Sequence, residues 1–347
     1  MTSTRVLIAY NEPVLPADHP DRAAEDDVLY SVKIIRESLD NLAIPHDSFG
    51  VTDDLSRTVE RLARRDFDVV FNLYEGTADR SITEVYFTGL LEWLKLPYTG
   101  CSTITLGLAR SKPMAKRLFR AAGVPTPDFC MLDEDAAIPD HGLAFPILVK
   151  PASEDASIGI DQGSVVTTPE ELEARVRYVL DHYGPPVLIE RFVAGRELQV
   201  SLIEWDGTGD PIVLPFSEIA YEAGTKSDYW PVYTYAAKWD ENSDEYKHAP
   251  VKTNVTVPPK LAARIRRAAK QAYRLLEARD YARVDLRIDD DGKPYVLELN
   301  PNPSITSIMI DDGLTELGLK YDRFIECIVR NAVNRASGPS GVRRKRE

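Results

Sequence analysis

The sequence predicts a mixed α/β and α+β chain built from several units. A parallel-sheet unit with helices on both faces comes first, then a small α+β unit, then an antiparallel-sheet unit. Three observations predict this. Residues 5–96 alternate strand-like and helix-like runs, the order that builds a parallel sheet. Pro125 and Pro127 stiffen the chain just after a well-delimited helix. Near the C-terminus, strand-like runs at 283–288 and 295–300 flank Asp-Asp-Asp-Gly, a hairpin signal. A length of 347 residues allows two or three domains at roughly 100–200 residues each.

Residues 5–10 read as the first strand. Over 25–42, apolar residues fall at Val28, Val32, Ile35, Leu39 and Leu42, the steps of four and three that mark one helix face. A strand is expected at 44–49 and a helix at 55–65. Residues 67–74 are nearly all apolar, as in a strand buried on both faces, and a helix follows over 82–96. Ser111 reads as a helix N-cap, with Pro113 in the first turn and Gly123 just past the end. The first division falls there, giving units at 1–124, 125–204 and 205–336. The middle unit reads strand (147–150), short strand (164–167), helix (169–183), strand (187–190) and strand (197–204). The stretch 222–256 is rich in Tyr, Asp, Lys and Pro with weak periodicity, and a connection of that length is usually functional or mobile. A helix (259–278), two strands (283–288 and 295–300) and a last helix (321–336) complete the chain. The tail 337–347 ends in Arg-Arg-Lys-Arg-Glu and reads as solvated and disordered.

Composition narrows the function classes. Lys and Arg number 42 against 55 Asp and Glu, a net charge of −13. So acidic a chain lacks the electrostatic footprint of a nucleic-acid or anionic-membrane binder, although one local basic pocket could hold an anion. Hydrophobic residues at 44% and charged residues at 28% fit a globular rather than a disordered chain. Cys101, Cys130 and Cys327 form no close pair, which argues against a disulfide framework or a zinc site. No apolar run approaches the roughly 20 residues that span a bilayer. The run at 6–9 is too short for a signal-peptide core. A soluble, cytoplasmic protein is expected.

The strongest local signal is Arg283-Val-Asp285-Leu-Arg-Ile, then the turn, then Tyr295-Val-Leu-Glu298-Leu-Asn300. A two-residue turn at Asp291-Gly292 would pair residues whose numbers sum to about 583. Asp285 would then face Glu298 and Arg283 would face Asn300, all four on one side of the sheet. Val284, Leu286, Ile288, Tyr295, Leu297 and Leu299 would take the other side. Two carboxylates opposed across a ladder repel, and a hard cation between them reverses that sign. Asp, Glu and an Asn amide oxygen suit Mg²⁺. Lys112, Lys150 and Lys238 stand at strand ends or helix starts. Lys150 precedes a small-residue loop whose N–H groups could cradle a phosphate. Taken alone, each lysine is more often an ordinary surface charge. The chain has neither GxxxxGK[ST] nor GxGxxG. Glu190-Arg-Phe-Val-Ala-Gly-Arg-Glu197 follows an apolar run. Glu190 could accept from an adenine amino group and Glu197 from ribose hydroxyls, or the segment is a plain hairpin around Gly195.

Together these pieces resemble the ATP-grasp superfamily and, within it, the D-alanine–D-alanine ligase family. The segments that carry the resemblance are LPYTG (96–100), ILVKPASEDASIGI (147–160), ERFVAGRE (190–197), YAAKW (235–239), RVD (283–285) and ELNPNPSIT (298–306). The resemblance implies an ATP-grasp fold, with a lid at about 222–256, and ATP with two Mg²⁺ ions (Mn²⁺ as the alternative). It implies phosphate contacts from Lys112, Lys150 and Lys238, with Ser157 in the small loop. Adenine would meet Glu190 and the backbone at Phe192 and Val193, and the ribose Glu197. Asp285, Glu298 and Asn300 would be the metal ligands. Arg283 would stabilise the tetrahedral intermediate, and Glu25 would hold the first substrate's ammonium group.

The activity implied is an ATP-dependent carboxylate–amine ligase, which forms an amide through an acylphosphate and releases ADP and phosphate. The partners implied are small-molecule carboxylates and amines, with no nucleic acid and no membrane, and a homodimer is an open assembly. The alternatives are a non-catalytic nucleotide-binding protein and a D-alanine–D-alanine ligase proper. The sequence departs from the family pattern at Tyr74, Ala156, Trp239, Ser304 and Met309, around the amino-acid substrates. That suggests a substrate other than D-alanine.

Overall fold

The computed structural model describes residues 4–13, 22–77, 80–133, 137–154, 157–221 and 229–337, with the side chains of the first helix from Val28 onward. β1 (Val6–Asn11), α1 (Arg22–Asn41), β2 (His46–Val51), α2 (Leu55–Ala63), β3 (Val69–Leu73) and α3 (Thr83–Trp93) follow the expected alternation. β1 lies between β2 and β3, and both pairings are parallel. Leu-Pro-Tyr-Thr-Gly then returns beside β3, where Tyr98 bridges Val70.

Two short helices follow, α4 (Thr103–Arg110) and α5 (Lys112–Ala121). α4 has no counterpart in the sequence reading, although Ser102 caps it by accepting from the Thr105 N–H. The expected cap at Ser111 does not form. Ser111 ends α4, donates its N–H to the Gly107 carbonyl, and makes no side-chain cap bond to α5. The two helices abut at this one residue, so its geometry serves the first.

The central elements are β4 (Phe129–Leu132), β5 (Ile147–Pro151), β6 (Val165–Val166), α6 (Pro169–Tyr183) and β7 (Val187–Arg191). They make an antiparallel sheet of order β4-β7-β5-β6. α6 starts at a Thr168 cap and packs Leu172, Val176 and Val179 on Ile147, Val149, Val187 and Ile189. β4 also escaped the sequence reading.

The remaining elements are β8 (Arg196–Ile203), β9 (Ile212–Val213), β10 (Phe216–Ile219), α7 (Tyr235–Trp239), α8 (Asp244–His248), β11 (Val251–Val255), α9 (Pro259–Leu275), β12 (Tyr281–Ile288), β13 (Pro294–Pro301), α10 (Ile308–Glu316) and α11 (Tyr321–Ser337). The strands form the sheet β11-β10-β8-β12-β13, with β9 on β8, so the strand read as the end of the middle unit belongs instead to this sheet, where it pairs along its length with β12. The stretch read as weakly structured therefore holds α7, α8 and β11. Residues 222–228 of it, and 338–347 of the tail, lie outside the described residues.

The cores interlock. Val28, Val32, Ile35 and Leu39 of α1 pack with Phe324, Ile325 and Ile328 of α11 over Val6, Ile8, Val69 and Phe71. Phe119 of α5 and Leu106 of α4 share a core with Ile265 and Ala269 of α9 and with Val284 and Leu286 of β12. The opposite face of β12 and β13 looks onto the central sheet, and the site lies between them.

Candidate functional site

The β12–β13 hairpin positions the polar cluster. Asp285 pairs with Glu298, and Arg283 with Asn300, as the sequence reading expects. The route differs. The turn holds three residues, 290–292: Asp289 exchanges bonds with Lys293, and Gly292 sits at φ +69°. Next to the turn the ladder pairs Leu286 with Val296, and a register shift follows between Leu286 and Asp285. The longer turn and the bulge cancel, so the site keeps its register. The bulge corrects the predicted face. Val296 and Leu299 join Val284, Leu286 and Ile288 in the core, while Leu297 lines the cleft beside Glu298. Tyr295 leaves the core as well, its ring 4.6 Å from the Arg191 guanidinium.

One cleft gathers the expected residues from three regions of the chain. Lys112 opens α5, Lys150 stands one residue before the end of β5, and Ser157 follows in the small loop. Glu190 comes from the end of β7, Phe192 and Val193 from just beyond it, Glu197 from β8 and Lys238 from α7. Arg283, Asp285, Glu298 and Asn300 come from the hairpin. All twelve line the same cavity. Glu25 falls within α1, but its side chain lies outside the described residues, as does Ala156.

Two lysines meet Glu190. Lys150 Nζ is 2.8 Å from Glu190 Oε1 and Lys116 Nζ is 2.7 Å from Oε2. Burial pushes the Glu190 carboxyl up, but the two ammonium groups outweigh it and hold the group down, at about 2. Lys116 escaped the sequence reading. Its signal was there: with Lys112, Ala115 and Phe119 it occupies the buried face of α5, where a lysine is out of place unless paired. Lys112 Nζ donates to the Glu154 carbonyl at 2.6 Å and lies 3.6 Å from Glu298 Oε2. Burial raises the Glu298 carboxyl, and Lys112, Lys150, Arg283 and Lys238 together pull it below the ordinary range.

Arg283 grips Asp285 with two bonds, 2.7 Å and 2.9 Å, and Asn300 donates to the same carboxylate at 3.0 Å. Among the described residues no group of three His, Cys, Asp or Glu could hold a metal. The set here is two carboxylates and an amide. These are hard oxygen donors, and Mg²⁺ completes such a set with waters and phosphate oxygens. The residues therefore fit a cation that arrives with a phosphate rather than a caged resident ion.

At the far end, Glu197 accepts from Tyr221 Oη at 2.7 Å and from Arg287 at 3.2 Å. Burial drives its carboxyl upward against Arg287 and Tyr221. The Phe192 N–H is committed to the Pro146 carbonyl, and its ring lies 4.7 Å under the Arg287 guanidinium. The segment after residue 228 folds over the cleft. Ser157 donates to the Tyr233 carbonyl, and Gln162 exchanges bonds with Trp230.

A second cavity continues along the same hairpin face. Tyr281 and Asn302 line it, two residues beyond Arg283 and Asn300, which is about 7 Å at the strand rise. Tyr74 and Ser304, two of the departures, line it too, with Glu75 and Glu84. Tyr74 Oη bonds Thr83 at 2.9 Å. Met309 lines neither cavity and sits in the first turn of α10, where its N–H meets the Ser307 hydroxyl.

Known proteins resemble this chain in sequence and in fold. The family described as D-ala D-ala ligase C-terminus matches residues 118–330. A D-alanine–D-alanine ligase of Bordetella petrii is 31% identical over 325 residues, 92% of this chain and 92% of that protein. An uncharacterized protein of Sinorhizobium fredii, y4sG, is 36% identical over 242 residues, 69% of this chain and 66% of that one. Among solved structures, D-alanine–D-alanine ligase from Bacillus anthracis complexed with ATP superposes with a TM-score of 0.72 at 21% identity. That match covers 96% of this chain and 99% of the other.

Proposed function

Because the chain belongs to the D-alanine–D-alanine ligase family of ATP-dependent ligases, we propose that it joins a carboxylate to an amine at the expense of ATP, releasing ADP and phosphate. The observation that carries this reading is the single cleft that unites Lys112, Lys150, Lys238, Arg283 and the Asp285–Glu298–Asn300 set.

A carboxylate is a poor electrophile towards an amine. Transfer of the γ-phosphoryl group to it creates an acylphosphate with a good leaving group, and that transfer asks mainly for positioning and charge neutralisation. Lys112 and Lys150 hold the phosphates, and Lys238 reaches the γ-phosphate from α7. Glu190 accepts from the adenine amino group and Glu197 from the ribose. Asp285, Glu298 and Asn300 would hold Mg²⁺, which when bound neutralises and orients the phosphates. Arg283 faces the oxygen that gains charge as the amine attacks, a role typically worth about 10²–10³ in rate. The segment over the cleft keeps water from the acylphosphate.

The substrate differs from D-alanine on this reading. The second cavity has Glu75 and Glu84 but no Lys, Arg or His among its described lining residues, so that part of its lining offers a substrate carboxylate no cation. Ser304 and Ser31 bring hydroxyls there that could still serve one. ADP release measured against a panel of carboxylates and amines, D-alanine included, tests both parts. Stimulated release with some pair, and a kcat/KM for paired D-alanine below the best pair, are expected. Release with no pair would point to a non-catalytic nucleotide-binding protein. D-alanine as the best pair would overturn the substrate reading.

A further inference from the structure

We propose that Lys116 is a positioning residue for nucleobase recognition. It is the fixed counter-ion of Glu190, and it frees Lys150 to leave that carboxylate for a phosphate while Glu190 stays ionised and aimed at a 6-amino purine. The inference rests on the reading that the cleft binds ATP.

The two lysines reach Glu190 from different sides. Lys150 is the last residue but one of β5 and lines the cleft. Lys116 does not line the cleft. It is 1% exposed, its ammonium 3.0 Å from Thr126 Oγ1 and 5.7 Å from the centre of the Phe129 ring. α5 anchors it through Ala115 and Phe119, which sit in the core on the same helix face. Glu190 borders the cleft yet is itself only 1% exposed, so water compensates poorly for a lost partner. One cation is thus built into the scaffold, and the other stands where a ligand arrives.

The consequence follows from charge. A phosphate entering the cleft competes with Glu190 for the Lys150 ammonium. If Lys150 were the sole partner, its departure would strand a buried carboxylate, which is strongly unfavourable. Lys150 would then stay, or Glu190 would take up a proton. With Lys116 in place the carboxylate stays paired and ionised. An ionised carboxylate only accepts hydrogen bonds. It therefore favours the amino group of adenine and repels the 6-oxo oxygen of hypoxanthine. A protonated Glu190 would donate and lose that preference.

Calorimetric binding of Mg-ATP and Mg-ITP (inosine triphosphate) to the full chain, wild type and Lys116→Met, tests this without knowledge of the amine. The wild type should prefer ATP. Lys116→Met should weaken ATP by about 10–150-fold, the range for losing a charged hydrogen-bond partner, while ITP weakens less, so that the ATP-to-ITP ratio falls towards one. A merely structural role would weaken both nucleotides alike and leave the ratio intact, and that result overturns the inference. Lys116→Gln reads the same ratio if the Met variant does not fold, because it is neutral yet keeps a donor towards Glu190. A wild-type chain that binds no ATP would instead overturn the nucleotide reading beneath it.

Discussion

Asp285 and Glu298 face each other across a ladder, an arrangement that two carboxylates alone would destabilise. Arg283 and Asn300 hold the first, and Lys112 stands 3.6 Å from the second. Asp285→Asn or Glu298→Gln should abolish turnover and weaken Mg-ATP binding, since each removes charge from the set proposed to hold the metal. Titration of ADP release with Mg²⁺ checks it, and a wild-type Mg²⁺ dependence in both variants would reject the assignment. Glu190 makes a second prediction at this scale. Its folded-state pKa is about 2 against an ordinary 4.5, so its ionisation stabilises the fold above pH 4.5. That contribution is lost as pH falls towards 2. Glu190→Gln should therefore flatten the acid limb of stability between those values. Urea denaturation across that range reads it, and an unchanged limb would show that other carboxylates dominate.

Among elements, the cover over the cleft is the one whose behaviour matters most. Gln162 ties it to the central unit: its side chain accepts from the Trp230 N–H at 2.8 Å and donates to Glu245 at 3.1 Å. The Tyr235 N–H adds a bond to the Ile160 carbonyl at 3.0 Å. The neutral ties are each worth about 0.5–1.5 kcal/mol and the one to the Glu245 carboxylate about 1.5–3 kcal/mol, weak enough to suit the proposed lid. Hydrogen exchange over 229–256 should slow when Mg-ATP and substrates bind. Gln162→Leu should speed exchange at Trp230 in the free protein and raise the KM for ATP. Protection that stays constant through all ligand states would count against a lid.

For the molecule as a whole, one buried carboxylate joins the N-terminal and C-terminal parts. Asp280 is fully buried. It accepts from the Gly100 N–H at 2.7 Å and from Arg335 of α11 through two bonds, 2.6 Å and 2.7 Å. Arg335 also reaches the Tyr98 carbonyl, and Asn302 accepts from the Cys101 N–H. The Leu-Pro-Tyr-Thr-Gly segment is thus clamped against the end of β13, the same strand that carries Glu298 and Asn300. A Cβ on Gly100 would come within 2.5 Å of Asn302 Oδ1 at φ +86°, which is why glycine stands there. Arg335→Met leaves Asp280 without its cation and should cost about 3 kcal/mol, the low end for breaking a buried pair because Arg335 is partly exposed. Chemical denaturation measures this, and a change below about 0.5 kcal/mol would show that the Gly100 N–H suffices.

The sequence by itself determined the local elements and the chemistry of the hairpin. The spacing of α1, the Pro169-to-Tyr183 helix and the alternation from Arg283 to Asn300 are encoded within a dozen or so neighbouring residues. Periodicity reads such information directly. α4 and β4 were not legible, because eight and four residues are too few for a period to stand out. The tertiary structure alone decided three things. It set the bulge at Leu297, since a turn's length does not reveal a compensating slip further along the strand. It made Lys116 a partner of Glu190, 74 positions away in a chain that brings them to 2.7 Å. It packed α11 on α1, so that the last helix completes the first sheet's core. Each depends on which surfaces meet once apolar faces are buried, and that choice is made by the packing of distant segments.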